Sequence, residues 1–377
     1  MDPGEDYRET LMKIYEALRE YILSYFDLQD PKEADVLIAW IYGTYIFEIF
    51  PAFPRLAFYG PKQSGKSKML TFLSKVCHNA FYSVIPTVST LFRLASEGPV
   101  FGRTILLDEF SLYSPSEKKE LVAILRQGYK RGAKVPRSER LFRKTEDGKR
   151  ETFIVEEYDV YCPVAFAGLV INDDQLLDRC IAINLLRSDN IEIIGKIIDD
   201  VVFEVRSKVV CMKWSELRSM IMKCLQKSKE SVLEYYNLLN SSESPMSGRD
   251  REIWYPLLAI AGFVCEGNHH PFWDNLHAFM RDYINKKKQE DLSTFDLQVL
   301  EALSEIDFTM PFRANEVADI LNRDVSPKEQ VTSQAVGHAL KRLGIPCKIV
   351  RGKKYYYLSE EEYKLKRQRF GLSPEYE

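Results

Sequence analysis

Two short runs of this 377-residue chain carry side chains able to work on a polyphosphate. The first, Gly60-Pro61-Lys62-Gln63-Ser64-Gly65-Lys66-Ser67, fits G-x-x-x-x-G-K-[ST], and Lys68 follows it. In that pattern the glycines let backbone N–H groups face phosphate oxygens, the lysine reaches the β- and γ-phosphates, and the hydroxyl holds Mg2+. Gly60 through Lys68 are therefore the expected nucleotide-binding residues, with ATP and Mg2+ as cofactors. The second run, Thr104-Ile-Leu-Leu-Asp108-Glu109, ends in two carboxylates about forty residues further on. Asp108 is expected to join Ser67 in holding Mg2+, and Glu109 to orient and deprotonate an attacking water.

Such chemistry needs a strand feeding a loop that opens a helix, because the helix N-terminus adds free N–H groups and a positive dipole end. Arg55–Tyr59 reads as the apolar strand and Lys66–Val76 as the helix. Alternation continues with a helix at Val88–Ala95, a strand at Thr104–Leu107, a helix over 116–130 and strands over 160–167 and 180–185. That order predicts an α/β fold with a parallel sheet covered by helices. The strand ending in Asp108 is expected beside the phosphate loop. Ahead of the sheet, apolar residues at helical spacing (Leu11, Ile14, Leu18, Ile22; then Leu37, Trp40, Ile41) predict helices over residues 1–52.

From 191 to about 288 the pattern is helical with no strand signal. Residues 294–306, 313–322 and 333–343 then read as three helices, and Cys347 to Leu358 as two short strands around Arg-Gly-Lys-Lys, which together make a winged-helix pattern. The expected domains are 1–52 helical, 53–190 ATPase core, 191–288 helical lid, and 289–377 winged helix with a charged tail.

Hydrophobic residues at 45%, charged residues at 28% and a net charge of -3 are ordinary for a soluble globular protein. Seven scattered cysteines without C-x-x-C spacing suit a reducing compartment, and no apolar run is long enough to span a membrane. A cytoplasmic protein is the expectation. His269, His270 and Cys265 lack a fourth ligand at metal-site spacing.

Ile105-Leu-Leu-Asp-Glu-Phe-Ser-Leu-Tyr113, with the helix ending Leu125-Arg-Gln-Gly-Tyr-Lys-Arg-Gly-Ala-Lys134, resembles the matching stretch of the MCM replicative helicases. Leu176-Leu-Asp-Arg179-Cys-Ile-Ala-Ile183 resembles that family's arginine-finger segment. Gly248-Arg249-Asp-Arg251-Glu-Ile-Trp-Tyr-Pro-Leu-Leu-Ala-Ile-Ala261 is similar to its sensor 2 helix, and closer still to MCM-like AAA+ ATPases of mobile elements. The resemblance spans roughly residues 53 to 360. It implies an AAA+ P-loop core with a helical lid, assembled as a homo-oligomeric ring, a hexamer, with ATP at each interface. Arg179 would then act on a neighbour's γ-phosphate and Arg249, or else Arg251, would serve as sensor 2. The sequence departs from the family at sensor 1, where it reads Ala167-Gly-Leu169-Val and the nearest Asn is Asn172. It also lacks the family's long N-terminal DNA-binding domain, so origin recognition and loading do not transfer.

Between Arg126 and Arg150 there are ten Lys or Arg against three acids. Residues 139–155 alternate like a β-ribbon around Asp-Gly, a strong hairpin-turn signal. In MCM-like helicases this place holds a hairpin that projects into the central channel, which implies single-stranded or forked DNA as partner. Lys149 and Arg150 would sit near the tip and Lys144 on the shaft, contacting phosphates without regard to sequence. From Val331 to Leu358 no acid occurs, and Ser333, Gln334, Lys341, Arg351, Lys353 and Lys354 are the expected DNA contacts of the wing and third helix.

The function this implies is an ATP-driven DNA helicase or translocase of a mobile, plasmid or viral element, working with replication proteins and no membrane. Two alternatives share most of the motifs: a STAND-type nucleotide switch regulating assembly, and a clamp-loader-like ATPase. The basic ribbon and an Arg179 acting in trans favour the helicase.

Overall fold

The computed structural model describes residues 6–84, 86–96, 103–109, 115–145, 148–168, 173–205, 210–242, 246, 248–267, 269–290, 294–323, 330–370 and 372. The chain divides into two compact units, Met1–Phe279 and Met280–Glu377.

The first unit is built on five parallel strands in the order β2-β3-β6-β1-β7: β1 Arg55–Tyr59, β2 Ala80–Ser83, β3 Thr104–Leu107, β6 Val164–Gly168 and β7 Cys180–Asn184. The central strands are apolar runs buried along their length, as a sheet covered on both faces requires. The crossovers are α3 Lys66–Val76, α4 Val88–Ala95, α5 Pro115–Gln127 and the short α6 Asp174–Leu177. The strand carrying Asp108 ends beside the phosphate loop, on one cavity with it, although β6 is inserted between β3 and β1. One expectation is corrected: β6 starts at Val164, since Val160 is used to close the base of the ribbon with its N–H on Ala133 O (3.1 Å).

That ribbon, β4 Lys134–Thr145 paired with β5 Gly148–Asp159, is longer than its alternation suggested. Its base joins the core through Val135 and Tyr158, which pack on the cluster under α4 and α5. Ahead of the sheet in chain order, α1 Tyr7–Tyr25 and α2 Glu33–Gly43 are fixed by buried polar bonds. Tyr15 Oη donates to Asp35 (2.6 Å), Arg19 and Asn275 donate to the same carboxylate, and Trp40 Nε1 donates to Pro54 O just before β1 (2.8 Å).

After the core in chain order come α7 Ile191–Ile194, the hairpin β8 Val202–Val205 with β9 Val210–Lys213, and the helices α8 Trp214–Lys227, α9 Lys229–Ser241, α10 Gly248–Val264 and α11 Pro271–Glu290. The β8–β9 hairpin corrects the expectation of an all-helical stretch. Its alternate residues Phe203 and Val205 are buried, and Phe203 meets Tyr21 and Trp214.

Glu33, at the start of α2, is 6% exposed and one of its oxygens has no partner. Burial pushes its carboxyl up to about 7, against the lowering effect of backbone N–H groups at Asp30 and Gln29. A raised carboxyl adds stability while protonated and loses it as pH rises through the folded value. Glu33→Gln should therefore remove a decline in denaturation midpoint that the unaltered chain shows between about pH 5 and pH 7. Denaturant midpoints of both proteins across that window test it; parallel profiles would contradict it.

The second unit holds three helices, α12 Thr294–Ala302, α13 Ala314–Leu321 and α14 Ser333–Arg342, then the hairpin β10 Cys347–Val350 with β11 Lys353–Tyr356, and α15 Glu360–Arg369. Arg351 (φ 50°) and Gly352 (φ 75°) make the two-residue turn, both in the left-handed region that such hairpins need. Of the consecutive Tyr355, Tyr356 and Tyr357, Tyr356 is the one buried, stacked on Phe312 with ring centroids 5.9 Å apart.

Candidate functional site

The phosphate loop leaves β1 and enters α3 through a backbone that few residues tolerate. Gly60 has φ +140°, and a Cβ there would lie 2.0 Å from Leu185 O. Gln63 (φ 63°) and Gly65 (φ 87°) are left-handed, and α3 starts without a side-chain cap. Its first N–H groups therefore face a cavity of about 470 Å³, lined by Lys62 to Lys68, Asp108, Glu109, Ala167 and Gly168. A concave loop of N–H groups, an ammonium and an uncapped helix start make a site for an anion.

Lys66 Nζ is folded onto the loop itself, donating to Gly60 O (2.9 Å), Pro61 O (2.6 Å) and Ser64 Oγ (3.3 Å). Partial burial lowers its pKa, while Asp108 and Glu109 act in the opposite sense. These carbonyl partners are the groups an incoming phosphate would replace. Ser67, on the first turn of α3, is exposed to the cavity side of the loop. Lys62 anchors the loop through its carbonyl, which accepts from Arg187 Nε (2.8 Å). Lys68 lines the cavity, but its ammonium is used elsewhere, on Ile193 O (3.1 Å) and near the Tyr25 and Phe26 rings.

Across the cavity, Asp108 is 7% exposed, and its backbone N–H donates to Ser83 O (3.0 Å). One carboxylate oxygen accepts from Glu109 N (2.9 Å) and the other from Tyr82 Oη (2.9 Å). Tyr82 was not foreseen. Desolvation first, then the bond to Asp108, pushes its phenol up to about 12, so it acts as a donor that aims the carboxylate. Glu109 itself is exposed and sits at φ 52°, a strained conformation for a non-glycine residue that turns its side chain off the strand into the cavity rim. Asn172 and Leu169, the sensor 1 positions, lie outside the described residues, as do Phe110 to Tyr113.

Arg179 and Arg249 are brought together, away from the cavity of their own chain. Arg179 immediately precedes β7, whose register pairs Cys180 with Arg55 and Asn184 with Tyr59. The phosphate loop begins after Tyr59, so Arg179 lies at the opposite end of the sheet, about 16 Å away at ~3.3 Å per residue. Both guanidiniums meet the ring of Tyr129, Arg249 at 4.8 Å and Arg179 at 5.6 Å from its centroid. Glu252 ties the group together by accepting from Tyr129 Oη (2.8 Å) and Arg249 Nη1 (2.9 Å), while Lys130 pairs with its second oxygen (2.5 Å). Asp178 adds a pair to Arg249 (3.3 Å), and Arg179 donates to Gln175 O. Arg251 is only partly buried on α10 and is absent from this ring contact.

On the ribbon, Lys144 pairs in register with Lys149, and Arg143 with Arg150, one and two steps below the turn. Lys144 is thus at the tip beside Lys149, which corrects its expected place on the shaft. The side chains of these four lie outside the described ones. In the second unit Ser333, Gln334, Lys341, Arg351, Lys353 and Lys354 are all exposed, the first two on the opening turn of α14 and the last three in the hairpin.

No family model matches the chain, and no curated protein matches it. Among solved structures it is similar to the C-terminal region of NrS-1 in an apo form, with 11% identity over 94% of this chain and 76% of that one and a TM-score of 0.33. It is similar to JCV helicase at 12% identity, with 78% of this chain and 64% of that one covered, and a TM-score of 0.30. The ORC1 protein of Aeropyrum pernix in complex with DNA matches at 13% identity over 95% of each chain, with a TM-score of 0.25. At such values the likeness carries no argument of its own. The fold class rests on the parallel sheet, its strand order and the loop–helix junction: an α/β P-loop core of the AAA+ kind. Among the described residues no helix is long and apolar enough to cross a membrane.

Proposed function

We propose that this chain is an ATP-hydrolysing, ring-forming DNA helicase or translocase of the MCM-like type. One observation carries the reading: the phosphate loop and its carboxylates occupy one end of the sheet, while Arg179 and Arg249 meet at the other. A complete site then needs two copies, each supplying one half.

In that site the N–H groups of residues 62–66 would bind the β-phosphate, and Lys66 would leave its loop carbonyls to meet the γ-phosphate. Ser67 and Asp108 would hold Mg2+, which would supply positive charge against the phosphate oxygens. Tyr82 keeps the Asp108 carboxylate oriented for that task. Glu109 accepts a proton from the attacking water, and the neighbour's Arg179 faces the charge that develops on the γ-phosphate. Six such subunits would direct their ribbons at one DNA strand, with Lys144, Lys149 and Arg150 at the phosphates and the winged helix of residues 289–377 adding a second contact. A cytoplasmic replication system of a mobile, plasmid or viral element fits this combination.

Adding single-stranded DNA should raise the ATP hydrolysis rate of the unaltered protein severalfold. In Lys149→Ala/Arg150→Ala that stimulation should vanish. A double variant stimulated as strongly as the unaltered protein would remove the ribbon from the mechanism.

A further inference from the structure

The ribbon has two unlike faces. Register and two-residue alternation place Val135, Arg137, Glu156 and Tyr158 on one of them. This face packs inward: Tyr158 meets the Phe92 ring at 4.8 Å, Arg137 lies over that same ring at 4.7 Å, and Arg93 covers Tyr158 at 5.2 Å. The other face carries Ser138 opposite Val155, Arg140 opposite Phe153 and Lys144 opposite Lys149. On it Phe153 is 64% exposed and Val155 69% exposed, two large apolar side chains held out side by side.

We infer that this outward face is a base-stacking platform for single-stranded nucleic acid, with Phe153 as the stacking ring. Three features point to that occupant. An aromatic ring is the side chain that binds unpaired bases irrespective of sequence. Phe153 shares its face with the backbone positions of Arg140, Lys144 and Lys149, and residues 140–150 hold five cations against two acids, Glu146 and Asp147. Phe153 lies four steps along the strand from Lys149, about 14 Å at ~3.4 Å per residue, so one strand can lay phosphates at the tip and a base on the ring together. Val155 extends the ledge at i+2 toward the ribbon base.

This rests on the DNA-translocase reading and adds to it a contact with bases, which phosphate-binding lysines do not supply. Full-length protein is titrated onto labelled oligo(dT) and onto an abasic strand of equal length, both with a non-hydrolysable ATP analogue. The unaltered protein should prefer oligo(dT). Phe153→Leu should lose about tenfold in affinity for oligo(dT) and little for the abasic strand, while Phe153→Tyr binds like the unaltered protein. Equal affinity of Phe153→Leu and the unaltered protein for oligo(dT) overturns the inference. So does an equal loss on both strands, or a change in oligomer size, which would assign the ring to a neighbouring subunit. Lys149→Ala/Arg150→Ala separates the two ideas. If it weakens both strands while Phe153→Leu weakens neither, the stacking platform alone fails; if the unaltered protein binds neither strand, the translocase reading fails with it.

Discussion

Arg179→Ala should bind ATP with nearly unaltered affinity and hydrolyse it about a thousandfold more slowly, or slower still. The split follows from position. Arg179 is not among the residues lining the phosphate cavity of its own chain, where Lys66, the uncapped α3 and the loop amides would make the binding contacts. What it loses on truncation is the charge that would meet a neighbour's γ-phosphate in the transition state. Glu109→Gln should also be inactive, through the other half of the site, and mixing the two inactive proteins decides the matter. A mixed ring contains interfaces that pair the intact Glu109 of one subunit with the intact Arg179 of the next, so activity should return. Without that return Arg179 does not act in trans; an undiminished rate for Arg179→Ala alone removes it from the reaction. The Tyr129 ring and Glu252 hold Arg179 and Arg249 as a unit, so substitutions at the two arginines should be far from additive.

The parts of the core legible in the sequence were those with a local cause. β1 ends and α3 begins where the Gly60–Gly65 loop forces them to, and β3 is a short apolar run closed by two carboxylates, so their bounds matched. The Arg-Gly turn of the second hairpin was equally plain, because few dipeptides accept two positive φ angles. What escaped was set by contacts distant in sequence. β2 is a partly exposed four-residue strand with no apolar run, and only its partner β3 makes it a strand. Tyr82 became a site residue through that pairing, 26 positions before the Asp108 it orients. Strands β8 and β9 are four residues each, too short for a period of two to stand out against helical spacing. The order of strands, with β6 between β1 and β3, depends on how crossovers pack and has no signature at any single residue. In the ribbon, alternation indicated the hairpin but neither its length nor the exact place of its turn, and the turn's place is what puts Lys144 one pair below the tip.

Arg55→Met should destabilise the first unit by about 2–5 kcal/mol, the scale of leaving two buried carbonyls without a donor at ~1–3 kcal/mol each. Arg55 was legible only as a strand residue, yet its guanidinium is among the most deeply buried charges of the chain, 1% exposed. Burial lowers its pKa, but an arginine stays charged, so the charge needs compensation inside the protein. Two carbonyls supply it: Nε donates to Leu125 O (2.8 Å) and Nη1 to Cys162 O (3.0 Å). Leu125 is in the last turn of α5, where carbonyls lack helical partners and the dipole is negative. Met fills much of the volume and donates nothing, which leaves both carbonyls buried and bare. Lys offers one ammonium where the guanidinium spans two directions, so Arg55→Lys should recover only part of the loss. Gly128 belongs to the same joint, since a Cβ there would sit 2.8 Å from Arg55 Nη2 and 2.3 Å from Val160 O. Gly128→Ala should thus be destabilising too, and the double variant less damaging than the sum. Denaturant midpoints of the three proteins measure both effects; a loss below about 1 kcal/mol for Arg55→Met would show that the clamp is not needed. The joint has a further consequence, because Leu125 precedes the ribbon, Cys162 follows it, and the Arg55 N–H donates to Arg179 O (3.2 Å). One side chain on the phosphate-loop strand therefore fixes both roots of the ribbon, and its backbone fixes the arginine proposed to cross the interface. Folded Arg55→Lys should accordingly show weaker stimulation of hydrolysis by single-stranded DNA at unchanged ATP affinity, an outcome that loss of stability alone would not produce.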